Sequence, residues 1–201
     1  MGILSEHKIA LKDGELLFFP DFFSPSESKK YFEELSANIA WQQDRIKMFG
    51  KELPIPRLQA LYGDADKPYT YSGIKMTPHT WTPALLEIKQ YIAEVCTHNF
   101  TSVLLNQYRH GKDSMGWHAD DEPELGTNPV IASLNFGATR NFQLRRKDDH
   151  KEKRSLSLTN GSLLIMQGAT QHYWQHQIPK TAKNVGVRIN LTFRRVLSLA
   201  N

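Results

Sequence analysis

The sequence predicts an α+β protein that is mainly β, a double-sheet jelly roll with helices supporting one sheet. Three observations carry this expectation. Two amphipathic helical segments fall in the first half of the chain, the stretches from Phe100 onward alternate apolar and polar residues, and Gly, Asn or Pro separates those stretches. Many short antiparallel strands after two helices bury their apolar faces as two facing sheets with helices behind one of them.

In chain order, "ELLFFPDFF" reads as a short strand. "SPSESKKYFEELSANIAW" follows as an amphipathic helix, with Ser24 as its cap and Pro25 in the first turn. Residues 42–72 are rich in Tyr, Pro and Gly with little apolar periodicity, so they read as hairpins and loops over one edge of the core, where a substrate cover could sit. A second helix near 83–98 carries Leu85, Ile88, Ile92 and Val95 at helical spacing. The later strands are "FTSVLLNQYRHG", "PVIASLNFG", "RNFQLRRK", "RSLSLTNGSLLIMQG", "QHYWQHQ" and "VGVRINLTFRRV", and the Asn-Gly in "LTNGSLLIM" signals a hairpin.

A chain of 201 residues and 23.1 kDa, 40% of it hydrophobic, suits one globular domain. A domain of this size buries roughly 70% of its unfolded surface. The charged start "MGILSEHKIALKDGELLFF" does not resemble a secretory signal, and no later stretch approaches the length of a membrane span, so a soluble intracellular protein is expected. With Cys96 as the single cysteine, an internal disulfide and a multi-cysteine zinc cage are both excluded. Any metal must be held by histidine and carboxylate. The formal charge is +4, and residues 140–154 hold seven Lys/Arg against three acids, a run that reads as a solvated turn or a nucleic-acid contact.

"RINLTFRR", at 188–195, carries the first chemical signal. Arg188, Asn190, Thr192 and Arg194 share one strand face, while Ile189, Leu191 and Phe193 share the other. Such a polar face either meets water or lines a cavity that holds an anion, because the fork of arginine donors suits carboxylate or phosphate. Six strand steps place the two arginine Cα atoms about 20 Å apart, which suits a small molecule with an anionic group at each end.

"GWHADDE" places His118 and Asp120 two residues apart, on one side of an extended chain. A third ligand must come from another strand, and "QHYWQHQIP" offers His172 and His176, between which strand geometry alone does not choose. Two histidines and one carboxylate on one face of an octahedral metal leave three positions open, as in non-haem iron(II) oxygenases. A keto acid can fill two of them, its distant carboxylate then needing a cation such as the 188–194 strand offers.

Taken together, "NQYRHG", "GWHADDE", "SLNFGATRNFQLRRK", "GSLLIM", "YWQHQIP" and "RINLTFR" resemble the AlkB-type 2-oxoglutarate- and iron(II)-dependent dioxygenases over residues 41–196. The resemblance implies one dioxygenase domain over 1–201, with N-terminal helices and a nucleotide-recognition lid in 15–100 and a double-stranded β-helix, or jelly-roll, core in 101–196. It implies Fe(II), 2-oxoglutarate and O2 as cofactor, co-substrate and oxidant. His118, Asp120 and His176 are then the catalytic metal ligands, leaving His172 to packing. Asn106, Tyr108, Arg188, Asn190, Thr192 and Arg194 would bind 2-oxoglutarate, with Arg188 on its distal carboxylate.

The activity so implied is oxidative demethylation of N-alkylated DNA bases of the 1-methyladenine and 3-methylcytosine type, with release of formaldehyde. The segment "RIKMFGKELPIPR" resembles the subgroup that acts on duplex DNA, so Met48, Phe49 and Gly50 would form a hairpin tip whose Phe49 fills the space of a flipped base. Tyr69, Tyr71 and Ser72 would wall the base pocket. Asp121 and Glu122 would favour a cationic methylated ring, and Arg57 and Arg145, with Lys151 and Lys153, would hold phosphates. Alkylated DNA is the expected partner, the protein acting as a monomer, in the cytoplasm of a bacterium or the nucleus of a eukaryote. Alternatives are a demethylase of RNA or single-stranded DNA on the same scaffold, and a non-catalytic nucleic-acid binder.

Overall fold

The computed structural model describes residues 5–48, 50–65, 69–71 and 74–197. Strands β1 (His7–Leu11) and β2 (Gly14–Phe19) lead into helix α1 (Pro25–Asn38). Next come the hairpin of β3 (Arg45–Met48) and β4 (Lys51–Pro54), strand β5 (Leu58–Gly63), the hairpin of β6 (Tyr69–Tyr71) and β7 (Ile74–Met76), and helix α2 (Pro83–Val95). The second half contains β8 (Ser102–Tyr108), β9 (Met115–His118), β10 (Ile131–Gly137), β11 (Arg140–Arg146), β12 (Lys153–Leu158) and β13 (Leu163–Gln167). A single helical turn, α3 (Thr170–Tyr173), then precedes β14 (Trp174–Ile178) and β15 (Arg188–Arg194).

Among the described residues, β1-β2-β13-β10-β15-β8-β5 form the larger sheet and β12-β11-β14-β9 the smaller. From β8 to β15 the chain changes sheet at every step except β11 to β12, which is the jelly-roll winding expected from the sequence. Among the described residues, no helix is long and apolar enough to cross a membrane.

Both expected helices form. Ser24 caps α1 in a complete capping box with Glu27, and Pro25 occupies its first turn. Thr82 caps α2 with a single bond, its hydroxyl accepting from the Leu85 amide, and Pro83 opens the first turn. Leu85, Ile88 and Ile92 of α2 and Tyr31 and Leu35 of α1 pack on Ala132, Leu134, Phe136, Ile189, Leu191 and Phe193 of the larger sheet. A second core of Leu104, Phe142, Leu144, Leu164 and Trp174 fills the space between the sheets. β15 therefore has two buried faces, an apolar one under the helices and a polar one between the sheets, and all seven of its residues are buried.

Three local expectations are corrected, and one strand was not foreseen. Thr159 to Ser162 do not close a hairpin: β12 pairs with β11 and β13 with β10 and β2, so the Asn-Gly turn carries the chain from one sheet to the other. Gly161 there has φ +77°, and a side chain on it would collide with Ser28 and the Phe23 backbone. The predicted strand "QHYWQHQ" begins only at Trp174, because Thr170–Tyr173 forms a helical turn. Residues 42–72 are not all cover, since β5 is the buried edge strand of the larger sheet, paired with β8. β1, unexpected from the sequence, extends the opposite edge by pairing with β2.

The basic run at 140–154 is also less of a surface than its composition suggests. Arg140 and Arg146 are buried. Arg146 donates to Asp148 at 2.7 Å and to Asp13 at 2.9 Å, fastening the β1-β2 turn to the smaller sheet.

Candidate metal centre and anion pocket

His118 ends β9 and lies directly across from His176 of β14. The chain leaves the strand after His118, and Asp120 follows in the loop. One ligand atom from each of His118, Asp120 and His176 lies within 4.8 Å of the others. The two imidazole centroids are 4.2 Å apart, and Phe142 supports His176 at 5.3 Å. These are the three residues expected from the sequence. His172, expected as a packing residue, is instead exposed on α3 against Tyr173.

The protonation states suit a divalent cation. His118 Nδ1 lies 2.8 Å from the Gly116 carbonyl oxygen. A carbonyl only accepts, so Nδ1 carries the proton and Nε2 is left as the donor atom. Burial, with His118 adding to it, pushes the His176 imidazole down to about 3, and burial likewise lowers His118. Burial alone would raise the Asp120 carboxyl, but Arg194, His176 and His118 outweigh it and hold it at about 2. Asp120 Oδ2 accepts from Arg194 at 2.8 Å, while among the described residues its buried Oδ1 has no hydrogen-bond partner and faces His118 Nε2 at 4.0 Å.

These lowered groups make the metal-free protein acid-sensitive. His176 binds its proton only in the unfolded chain between about pH 3 and its ordinary value of 6.5, so stability falls as pH drops through that window. The slope is about 1.4 kcal/mol per pH unit for one such group. Asp120 adds to the loss in the same direction below 3.8. Chemical denaturation of the metal-free protein from pH 7 to pH 4 checks this: the midpoint declines, and His176→Phe flattens the decline.

The anion pocket is built by register. Arg188 pairs across the sheet with Tyr108, and Asn190 with Asn106 on one side and Asn135 on the other. Asn106, Tyr108, Arg188, Asn190, Thr192 and Arg194 line one cavity together with the three metal-site residues. Arg188 is 1% exposed, rests over the Tyr108 ring at 5.0 Å and donates to Asn135, yet among the described residues its Nε and Nη1 have no hydrogen-bond partner. Burial first, and the neighbouring Arg140 charge after it, lower its guanidinium to about 10. Unpaired buried donors on a cation are costly, and an entering carboxylate satisfies them.

Three supporting residues were not foreseen. Ser133 and Asn135 sit on the polar face of β10, a pattern visible in "SLNFG". Gln171 of α3 is buried and accepts from the Asp120 backbone amide at 2.9 Å, tying the carboxylate ligand to the turn that leads into the His176 strand. No sequence signal marks it. Gln171→Leu should weaken metal binding by about tenfold while leaving the fold intact, checked by titrating manganese(II) against the thermal midpoint.

The expected nucleic-acid contacts fare unevenly. Arg57 is no surface phosphate clamp: it is buried, and its Nε donates to Asn106 Oδ1 at 2.8 Å. That bond fixes the Asn106 amide so that its NH2 is the group offered to the cavity. Arg145 is half-buried, held by Gln175 at 2.8 Å and stacked 4.3 Å over Trp117, so it too is committed within the smaller sheet. Asp121 is exposed but neutralised by Lys147 at 2.7 Å, and half-buried Glu122 stands just before a short 3₁₀ turn, Pro123–Leu125, without a side-chain cap bond to it. Lys151 and Lys153 remain exposed. Gly50 sits in the exposed β3-β4 turn at φ +75°, and Met48, Tyr69 and Tyr71 are placed as strand backbone. Phe49 and Ser72 lie outside the described residues.

A jelly roll whose inter-sheet cavity joins a two-histidine, one-carboxylate cluster to a buried, unsatisfied arginine defines a class: metal-dependent proteins that take an anionic co-substrate. The sequence profile of the 2OG-Fe(II) oxygenase superfamily matches residues 15–194, and the chain belongs to that family. It is 45% identical over 186 residues to the alpha-ketoglutarate-dependent dioxygenase alkB homolog 3 of Bos taurus, covering 88% of this chain and 64% of that protein. It is 39% identical over 185 residues to the DNA oxidative demethylase ALKBH2 of Homo sapiens, covering 87% of this chain and 71% of that protein. The chain thus spans just under two thirds of the alkB homolog 3 relative. A solved structure of OsALKBH1 superposes with a TM-score of 0.68 at 14% identity, covering 94% of this chain and all of that one, and shares the fold.

Fe(II), 2-oxoglutarate and dioxygen are the family's cofactor set, and the residues present fit it. The buried Asp120 Oδ1, the unprotonated His118 Nε2 4.0 Å from it and the neutral His176 suit the metal. The two unpaired Arg188 donors and the oriented Asn106 amide suit the dicarboxylate.

Proposed function

We propose that the chain is a dioxygenase that removes N-linked methyl groups from alkylated DNA bases, of the 1-methyladenine and 3-methylcytosine type, by direct reversal. The observation that carries this reading is the single cavity in which His118, Asp120 and His176 meet Arg188 with its two unsatisfied donors. The likeness to the DNA oxidative demethylase ALKBH2 of Homo sapiens supports the substrate class.

Iron(II), when bound with 2-oxoglutarate and dioxygen, supplies the oxidation of the methyl carbon, which leaves as formaldehyde. The residues of the chain do the rest. His118, Asp120 and His176 hold the metal, and Arg194 keeps Asp120 ionised and turned toward it. Arg188 receives the distal carboxylate, Asn106 and Tyr108 orient the co-substrate, and Asn190 and Thr192 complete its polar wall. Met115, Phe142 and Ile178 give the cavity apolar walls that limit water around the reacting carbon.

The whole chain acts as one catalytic domain and a monomer, with the two hairpins before α2 as the base-recognition cover. On the resemblance of their segments to the family, Tyr69, Tyr71 and Ser72 are assigned to the flipped base and Met48, Phe49 and Gly50 to the duplex. Formaldehyde release from oligonucleotides carrying one methylated base tests the reading. Release is expected from the duplex, coupled to succinate, and lost in His118→Ala. Turnover of single-stranded DNA or RNA alone would redirect the substrate, and binding without turnover would leave a nucleic-acid binder.

A further inference from the structure

Arg140 opens β11 and is buried at 3% exposure, yet the metal chemistry makes no use of it. Its guanidinium donates to three backbone carbonyls, those of Pro179 at 2.6 Å, Asp113 at 2.9 Å and His110 at 3.4 Å. Carbonyl dipoles satisfy its donors without cancelling its charge. The neighbouring Asp113 carboxylate is engaged by Arg109 at 2.8 Å and 3.0 Å.

Tyr108 connects this cation to the anion pocket. Arg140 lies 5.6 Å and Arg188 5.0 Å from the centroid of the same Tyr108 ring. Arg188 is bonded to a neutral amide, Asn135, and also keeps unpaired donors. Two buried like charges around one aromatic ring repel in a medium of low dielectric. The ring's π-face offsets part of that cost, and an arriving anion offsets more of it.

We propose that Arg140 is a positioning residue of the co-substrate pocket: it seats the Tyr108 ring on which Arg188 rests and supplies a second positive charge for the carboxylate that Arg188 receives. The inference rests on the proposed co-substrate reading of that pocket. Its consequence is selectivity for a dicarboxylic over a monocarboxylic keto acid. A purely structural Arg140, tying the 110–113 turn and Pro179 to β11, would leave that selectivity unchanged.

The test compares anaerobic calorimetric binding of 2-oxoglutarate and 2-oxobutyrate, which lacks the distal carboxylate, to the iron(II)-loaded protein. In Arg140→Gln, the Kd for 2-oxoglutarate is expected to rise about tenfold or more while that for 2-oxobutyrate stays within about twofold. Arg140→Lys, which keeps the charge, should hold the 2-oxoglutarate Kd within about threefold of the parent. Equal weakening of both ligands in the Gln variant, or no weakening, overturns the inference. Should the Gln variant not fold, the Lys variant decides: a larger loss of 2-oxoglutarate binding than threefold overturns it. Failure of the parent protein to prefer the dicarboxylate would overturn the pocket reading itself, and this inference with it.

Discussion

Asp120→Ala should abolish metal-dependent turnover and also destabilise the protein, while His118→Ala should abolish turnover with little loss of stability. The two ligands differ in what they leave behind. Asp120 is fully buried, and its Oδ2 accepts the Arg194 guanidinium at 2.8 Å in a site where Arg194 is 2% exposed. Removing the carboxylate strands a buried cation, which costs about 3–5 kcal/mol. His118 is partly exposed at the end of β9, where its ring meets the Gly116 carbonyl at 2.8 Å and the His176 ring, and its removal strands no buried charge and opens the site to water at small cost. Denaturant midpoints and turnover of both variants check the split. Equal stability loss in the two would show that the Asp120–Arg194 pair is not what holds the loop.

Arg188→Met should reverse the usual coupling of activity and stability. The variant loses 2-oxoglutarate binding, with KM rising by about a hundredfold or more, because a bidentate partner for the distal carboxylate is gone. Without ligand it should be as stable as the parent, or more stable by about 1–4 kcal/mol, because an incompletely paired buried charge has been replaced by an apolar chain of similar length. Added 2-oxoglutarate then raises the thermal midpoint of the parent and not of the variant. A clear drop in ligand-free stability would mean that the Asn135 bond and the Tyr108 stack outweigh the burial of the charge.

The site was legible in the sequence where strand geometry alone fixes which side chains meet. Period-two alternation is rigid, so Arg188, Asn190, Thr192 and Arg194 had to share a face, whereas β9 ends at His118 and Asp120 reaches the site from the loop beyond it. The fold was legible for a similar reason: the helices announce themselves through Ser24, Pro25 and the spacing of Leu85, Ile88 and Ile92.

What the sequence hid depends on contacts distant along the chain. The Asn-Gly at 160–161 favours a tight turn locally, but the burial of Leu164 and Leu158 in different sheets decides where the flanking strands go. Arg57, Arg140 and Arg146 look like surface charge in composition, and only the fold shows them aimed at Asn106, at backbone carbonyls and at Asp13. Gln171 has no local pattern, since its partner Asp120 lies 51 residues away.

Anaerobic titration of iron(II) into the protein with saturating 2-oxoglutarate, followed by visible charge-transfer absorption of the iron–keto acid chelate, tests the central arrangement most directly. One band saturating at one iron per chain is expected in the parent, absent in Asp120→Ala and shifted to far higher 2-oxoglutarate in Arg188→Met. A band of full strength at the same concentrations in both variants would contradict a shared cavity in which His118, Asp120 and His176 hold the metal and Arg188 holds the dicarboxylate.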